Sequence, residues 1–215
     1  MKSLPFEVRV ELDGWVLFWA DLELSAGDKE PLADLRREVA GHARERFDLQ
    51  SLSADPTVAA LRRLFRRAGT DPTRYRPSSE ALLRRLLKGD ELPAINPLVD
   101  ISNCLSAELA VPCCVMADGT IAPPLLFRSG RPGENYLSLR GPFNLDGKPL
   151  LCDSAGPLDC PITGNDKVKV TLETQRAWLV AYMPSETSDP VSANKMLEEM
   201  VRRVPAIQIL RTAAC

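Results

Sequence analysis

The residue types that most often carry catalysis are scarce in this chain. Its 215 residues include one histidine, His42, which lies in a charged stretch of helical character at 35–46. A Ser-His-Asp triad and a two-histidine zinc site are therefore strongly disfavoured. The six cysteines form no Cys-x-x-Cys pair, and adjacent Cys113 and Cys114 would point to opposite faces of a strand. We expect reduced, buried thiols, with no metal site and no cofactor.

The charge balance limits how the chain could contact a nucleic acid. The formal net charge is −2 and the sequence pI is about 5.6, so contact with RNA phosphates would need a local basic patch. The candidates are arginines of two predicted helices, namely Arg62, Arg66, Arg84 and Arg85. The alternative is a solvated helix face whose arginines pair with nearby carboxylates. No apolar run has the length of a membrane span and no signal peptide is evident, so we expect a cytoplasmic protein without membrane or DNA contacts.

The first part of the chain, about 1–90, is predicted to be rich in helices. Alternating apolar residues at 6–12, a turn signal at Asp13-Gly14 and an apolar run at 15–20 predict an opening β-hairpin. Apolar residues at helical spacing then predict helices at 30–47, 55–68 and 80–87. The second of these helices begins with Asp55-Pro56, which supplies an N-cap and a first-turn proline.

The second part, about 91–215, is rich in proline and short apolar runs. Helices are predicted at 99–110 and 192–203. Strands are predicted at 113–116, 124–127, 136–139, 150–152, 167–172, 177–183 and 206–210. Because helices and strands mix without a regular βαβ alternation, the sequence predicts an α+β fold, and we expect one domain over 1–215.

Two segments resemble a known family. Ile95-Asn-Pro-Leu-Val-Asp-Ile-Ser-Asn103, with the nine residues that lead to Pro112, is similar to a helix of the B3/B4 domain of the phenylalanyl-tRNA synthetase β subunit. The segment from Tyr75 to Gly89 resembles the solo B3/4 proteins, which are not attached to a synthetase. The resemblance covers roughly residues 5 to 185. It implies a mixed, sandwich-like β core flanked by helices, and a pocket that removes tyrosine from mischarged tRNA.

The resemblance also implies roles for single residues. Asn103 matches an asparagine that lines the family's editing pocket, although an amide that bonds the backbone inside the helix is the alternative. Asp100 shares a helix face with Asn103 and is either a substrate-binding or a structural residue. Cys114 stands where the synthetase has a histidine. Val180 stands where the synthetase has a glutamate that recognises the tyrosine hydroxyl, which disfavours tyrosyl-tRNA as the substrate.

The remaining candidates follow the same resemblance. Gly164 lies near a glycine-rich pocket loop, where neighbouring N–H groups would hold an oxyanion, or it forms a simple turn. Thr171 and Thr174 would place a water, and Asp166 and Lys169 either line the pocket or face solvent. The leading hypothesis is an aminoacyl-tRNA deacylase that acts in trans. The alternatives are a non-catalytic tRNA- or RNA-binding module and an amino-acid or small-molecule binder.

Overall fold

The structure, a computed structural model, describes residues 3–25, 30–138 and 140–215. Two four-stranded sheets form the centre of this part of the chain. The first sheet is antiparallel, with the order β10 (Ile207–Ala214), β2 (Trp15–Leu24), β9 (Arg176–Pro184) and β3 (Cys113–Ala117). The second has the order β1 (Val8–Val10), β4 (Leu125–Ser129), β7 (Pro149–Asp153) and β8 (Gly156–Asp159). A separate ribbon joins β5 (Asn135–Ser138) to β6 (Gly141–Asn144).

Aromatic side chains from the two sheets pack against one another. The Trp15 ring lies 5.3 Å from Phe127 of β4, and the Phe127 ring lies 5.4 Å from Tyr182 of β9. Tyr182 is paired with Leu17, two residues along β2 from Trp15, so Trp15 and Tyr182 lie on the same face of the first sheet. The main hydrophobic core continues from these rings into residues of both predicted parts of the chain.

The described residues also form five α-helices, several of which pack against strands of the first sheet. They are α1 (Glu30–Arg46), α2 (Pro56–Ala68), α3 (Ser78–Leu86), α4 (Pro97–Leu109) and α5 (Pro190–Arg202). The central helix is α4, which packs against α1, α3, α5 and β3. Among the described residues, no helix has both the length and the apolar character needed to cross a membrane. The prediction of an α+β fold with a sandwich-like core is confirmed.

Two local predictions are wrong. The opening hairpin does not form, because β1 pairs in parallel with β4 in one sheet while β2 lies between β9 and β10 in the other. The turn at Gly14, with a φ of 84°, therefore carries the chain from one sheet to the next.

The strand predicted at 167–172 is also absent. A short 3₁₀ helix, Asp166–Val168, takes its place and is capped by Asn165, whose side chain accepts from the Lys167 N–H at 3.0 Å. Of the strand predicted at 136–139, the first three residues lie in β5, and Leu139 lies outside the described residues.

Candidate functional site

A cavity of about 520 Å³ lies between α3, α4, the strand β3 and the loop at 161–170. Two helices line it with residues spaced three and four apart, so each helix presents one face. From α3 these residues are Ser78, Ala81, Leu82 and Arg85, and from α4 they are Val99, Ser102, Asn103 and Ser106. The volume is within the range of pockets that hold small ligands. Sequence reasoning found Asn103 but missed Ser102 and Ser106, whose signal was their spacing on the same helix face.

Asn103 is a polar group of the cavity wall that is available to a ligand. It is half-buried on the cavity face of α4, and its amide makes no hydrogen bond to any residue that the structure describes. An amide has two N–H donors and one carbonyl acceptor. Ser106 differs, since its hydroxyl donates to the Val111 carbonyl at 2.7 Å. Asn103 can therefore bind a ligand without breaking a bond within the described part of the fold.

The start of α4 is held by residues outside the cavity. The Asn96 side chain caps the helix by accepting from the Leu98 N–H at 2.9 Å, and its amide donates to the Thr171 carbonyl at 3.0 Å. Asp100 accepts from the Ile95 N–H at 2.9 Å, and its other oxygen pairs with Arg36 at 2.6 Å. Asp100 is buried and does not line the cavity, which favours the structural alternative for this residue.

The loop that carries Gly164 is fixed at several points. The Ser78 N–H donates to the Pro161 carbonyl at 2.9 Å, and the Tyr136 hydroxyl donates to the Thr163 carbonyl at 2.6 Å. The Asn165 amide donates to the Pro157 carbonyl at 3.2 Å. Gly164 lines the cavity between these tethered residues. The backbone of this loop is therefore positioned before any ligand arrives.

The charged side chains that line the cavity are all cationic. They are Arg85, Arg140 and Lys169, and no aspartate, glutamate or histidine is among the described lining residues. Arg85 pairs with Asp90 at 3.2 Å and Lys169 pairs with Asp166 at 2.7 Å, with all four side chains substantially exposed. Exposed pairs of this kind contribute little and exchange readily, so the two cations can turn toward an anionic ligand.

Cys114 lines the cavity and also belongs to a polar cluster with two buried residues, Asp159 and Tyr182. Its thiol donates to one oxygen of Asp159 at 3.2 Å, and the Tyr182 hydroxyl donates to the other oxygen at 2.6 Å. Burial raises the pKa of Asp159 to about 7, although both donors act in the opposite direction. Burial and the neighbouring Asp159 raise the pKa of Cys114 well above its ordinary value, so the thiol is uncharged near neutral pH. Sequence reasoning did not single out Asp159.

Four other predicted site residues are not brought to the cavity. Thr171 and Thr174 form a turn in which the Thr171 N–H donates to the Thr174 hydroxyl at 2.9 Å. Asp166 is the partner of Lys169 and does not itself line the cavity. Val180 is fully buried in β9 and lies opposite Cys114, one strand further from the sheet edge. Of the predicted pocket residues, Asn103, Cys114, Gly164 and Lys169 do line the cavity.

The arginines predicted to bind RNA do not form one patch, because their surroundings differ. Arg62 and Arg84 both bond the buried carboxylate of Glu80, each at 2.9 Å. Arg85 lines the cavity, and Arg66 is exposed in the last turn of α2. Arg62 and Arg84 thus compensate a buried charge in this structure. In the described residues, no group of three or more His, Cys, Asp or Glu side chains could hold a metal ion.

Comparison with known proteins identifies the family of this chain. The family model described as "B3/4 domain" matches residues 60–204, which is well over half of the chain. The chain belongs to the B3/4 domain family. All residues that line the cavity lie between Ser78 and Val170, inside the matched B3/4 segment. The resemblance inferred from the motif at 95–103 is therefore confirmed.

The B3/4 fold is also found in a solved structure. The crystal structure of an N-terminal fragment of the phenylalanyl-tRNA synthetase β-subunit from Pyrococcus horikoshii matches with a TM-score of 0.50 and 15% sequence identity. The match covers 96% of this chain and 51% of that fragment, so this B3/4 chain spans about half of the fragment's length. At this identity the likeness concerns the fold. The search of curated proteins finds no match.

Proposed function

We propose that this B3/4 protein hydrolyses the ester bond of a mischarged aminoacyl-tRNA in trans, with the aminoacyl group in the cavity. The observation that carries the proposal is the Asn103 amide, which is without a partner among the described residues and faces a cavity of about 520 Å³. Membership in the B3/4 family supports an aminoacyl-tRNA substrate, because the structural neighbour is part of a phenylalanyl-tRNA synthetase β-subunit.

The chemistry required is modest, because an aminoacyl ester is already activated. A water oxygen forms a bond to the ester carbonyl carbon, and the carbonyl oxygen becomes an oxyanion. The carbonyl re-forms as the bond to the ribose oxygen breaks. One proton of the attacking water ends on that oxygen, and the other is released with the free carboxylate. The Asn103 N–H groups and backbone N–H groups beside Gly164 would stabilise the oxyanion, which is often the largest catalytic contribution in acyl transfer. Lys169 would add positive charge at the same wall.

Direct attack by water is favoured over a thiol nucleophile. Cys114 and Cys113 both line the cavity, but burial raises the pKa of each thiol above its ordinary value. The thiolate is the nucleophilic form of cysteine, so neither residue is activated for attack. Thr171 and Thr174 bond to each other and line no part of the cavity, so they do not lie where they could place the attacking water.

The walls of the cavity favour an apolar amino acid. Val99, Ile162, Val168 and Val170 supply apolar surface, together with Leu82. No carboxylate among the described lining residues could accept the hydroxyl of a tyrosine side chain. With Asn103 assigned to the oxyanion and an apolar wall around the amino-acid side chain, we expect a small or apolar side chain to be removed in preference to tyrosine.

Replacement of Asn103 tests the proposed mechanism. We expect Asn103→Ala to lower kcat for deacylation by about 10²-fold, because loss of one oxyanion donor has an effect of this size. A matched control is Gln208→Ala, which removes an exposed amide on β10, remote from the cavity. Equal rates for Asn103→Ala and the unaltered protein, measured on the same mischarged tRNA, would remove Asn103 from the mechanism.

A second candidate is a module that binds the end of tRNA without cleaving it. One observation favours it, namely that no aspartate, glutamate or histidine among the described lining residues could act as a general base. This candidate predicts RNA affinity that falls with salt, together with aminoacyl esters that persist at the spontaneous rate.

A further inference from the structure

A second groove of about 300 Å³ adjoins the cavity. It lies between the segment that precedes α3 and the ribbon β5–β6. Three arginines line it, Arg74, Arg76 and Arg140, beside the rings of Tyr75 and Phe143. These two rings meet edge to face with their centroids 6.0 Å apart. Aromatic rings beside cationic side chains are typical of surfaces that bind single-stranded nucleic acid.

The positive charge of this groove is not compensated locally. No carboxylate is among the described residues that line it, and neither Arg74 nor Arg140 forms an ion pair with a described residue. Arg76 lies 3.9 Å from Glu80, which is already shared by two other arginines. Several guanidinium groups in one groove repel one another, so an anion that enters the groove relieves this repulsion.

Lys148 adds to the cationic character of the same region. Its ammonium nitrogen lies 4.1 Å from the centroid of the Tyr75 ring and 5.4 Å from that of Phe143. Burial lowers the pKa of Lys148 and the Arg74 guanidinium lowers it further, while Cys160 and Asp146 act in the opposite direction. The structure thus crowds cations around Tyr75 although the whole chain has a net charge of −2.

The groove and the cavity lie side by side. Four residues line both of them, namely Ala81, Arg140, Ile162 and Thr163. A ligand that reaches from the cavity into the groove would pass Arg140, which lines both. In an aminoacyl-tRNA, the part that continues from the aminoacyl ester is the terminal ribose, followed by a phosphodiester and the next nucleotide.

We infer that the groove binds the terminal phosphodiester of a single-stranded RNA 3′ end, with Arg140 at the junction and Arg74 further along the strand. The inference rests on the proposed function for the identity of the strand. It places RNA recognition on arginines other than Arg62 and Arg84, which are held by Glu80. Arginine is suited to this role because its planar guanidinium bonds two phosphate oxygens at once.

Binding of a short RNA hairpin with a single-stranded CCA end tests the inference. We expect Arg74→Gln and Arg140→Gln each to raise the Kd by about 3–10-fold at low salt and to reduce the salt slope by about one. The matched control is Arg202→Gln, because Arg202 is an exposed arginine of α5 that lines neither the cavity nor the groove. Unaltered Kd and slope in both groove variants would overturn the inference, as would an unaltered protein with no affinity for the hairpin. Binding of ADP or inorganic phosphate without binding of the hairpin would also overturn it.

The same variants separate this inference from the proposed function. If the unaltered protein binds the hairpin through the groove but hydrolyses no ester, the proposed function fails and the groove assignment stands. If it deacylates tRNA while the groove variants bind the hairpin normally, the groove assignment fails and the proposed function stands.

Discussion

Asn103 and Asp159 show how partners decide what a polar side chain can do. Asn103 faces the cavity without a hydrogen-bond partner among the described residues, whereas Asp159 is fully buried and accepts from Cys114 and Tyr182. The motif around Asn103 could be recognised in the sequence. Asp159 could not, because its cluster is assembled from β3, β8 and β9, which are distant in sequence. The one local signal was a carboxylate within the apolar run that ends at Pro161.

Asp159 should make stability depend on pH. Burial raises its folded-state pKa to about 7, while an unfolded aspartate titrates near 3.9. Between these values the native state keeps a proton that the unfolded state releases, so stability falls as pH rises from about 4 to about 7. We expect the Asp159 contribution to the free energy of unfolding to fall by roughly 2–4 kcal/mol across this window.

Urea unfolding at pH 5 and pH 7.5 measures this effect. Asp159→Asn cannot titrate, so its stability should change less between the two pH values than that of the unaltered protein. Asp34→Asn serves as control, because Asp34 is an exposed residue of α1. The same loss of stability with pH in Asp159→Asn and in the unaltered protein would show that Asp159 is not the titrating group.

At the scale of elements, α3 depends on one buried carboxylate. Glu80 has no exposed side-chain surface, and Arg62, Arg84 and Arg76 surround it. We expect Glu80→Gln to lower the free energy of unfolding by about 2–4 kcal/mol, because it leaves partly buried arginines without a counter-charge. Glu186→Gln removes an exposed partner of Arg63 and should change stability by less than about 0.5 kcal/mol. Equal midpoints of urea unfolding for the two variants would contradict the buried-charge account of α3.

Elements with strong local signals could be predicted from the sequence, and those that depend on distant partners could not. The helix α2 begins at the Asp55-Pro56 signal and ends before Gly69, which adopts a φ of 107°. The residues at 167–172 alternate as a strand would, yet no strand among the described residues pairs with them, and Leu172 is 79% exposed. The opening hairpin failed for a related reason, because the partner of β1 is β4, more than a hundred residues further along the chain.

At the scale of the whole molecule, charge is distributed unevenly. The chain carries a net charge of −2, yet the charged residues that line the cavity and the adjoining groove are all arginine or lysine. The negative net charge predicts that the chain as a whole does not attract a polyanion such as RNA. The local charge at the cavity is nevertheless positive. The helix α3, the ribbon β5–β6 and the loop at 161–170 each bring a basic residue to its wall.

The central claim is that the cavity hydrolyses a mischarged aminoacyl-tRNA, and the direct test is deacylation of a panel of mischarged tRNAs by the purified protein. We predict release of one small or apolar amino acid well above the spontaneous rate, with tyrosine released poorly and the reaction lost in Asn103→Ala but retained in Gln208→Ala. Spontaneous rates for every member of the panel, from protein that is folded and binds the CCA hairpin, would contradict catalysis and leave a B3/4 module that binds RNA.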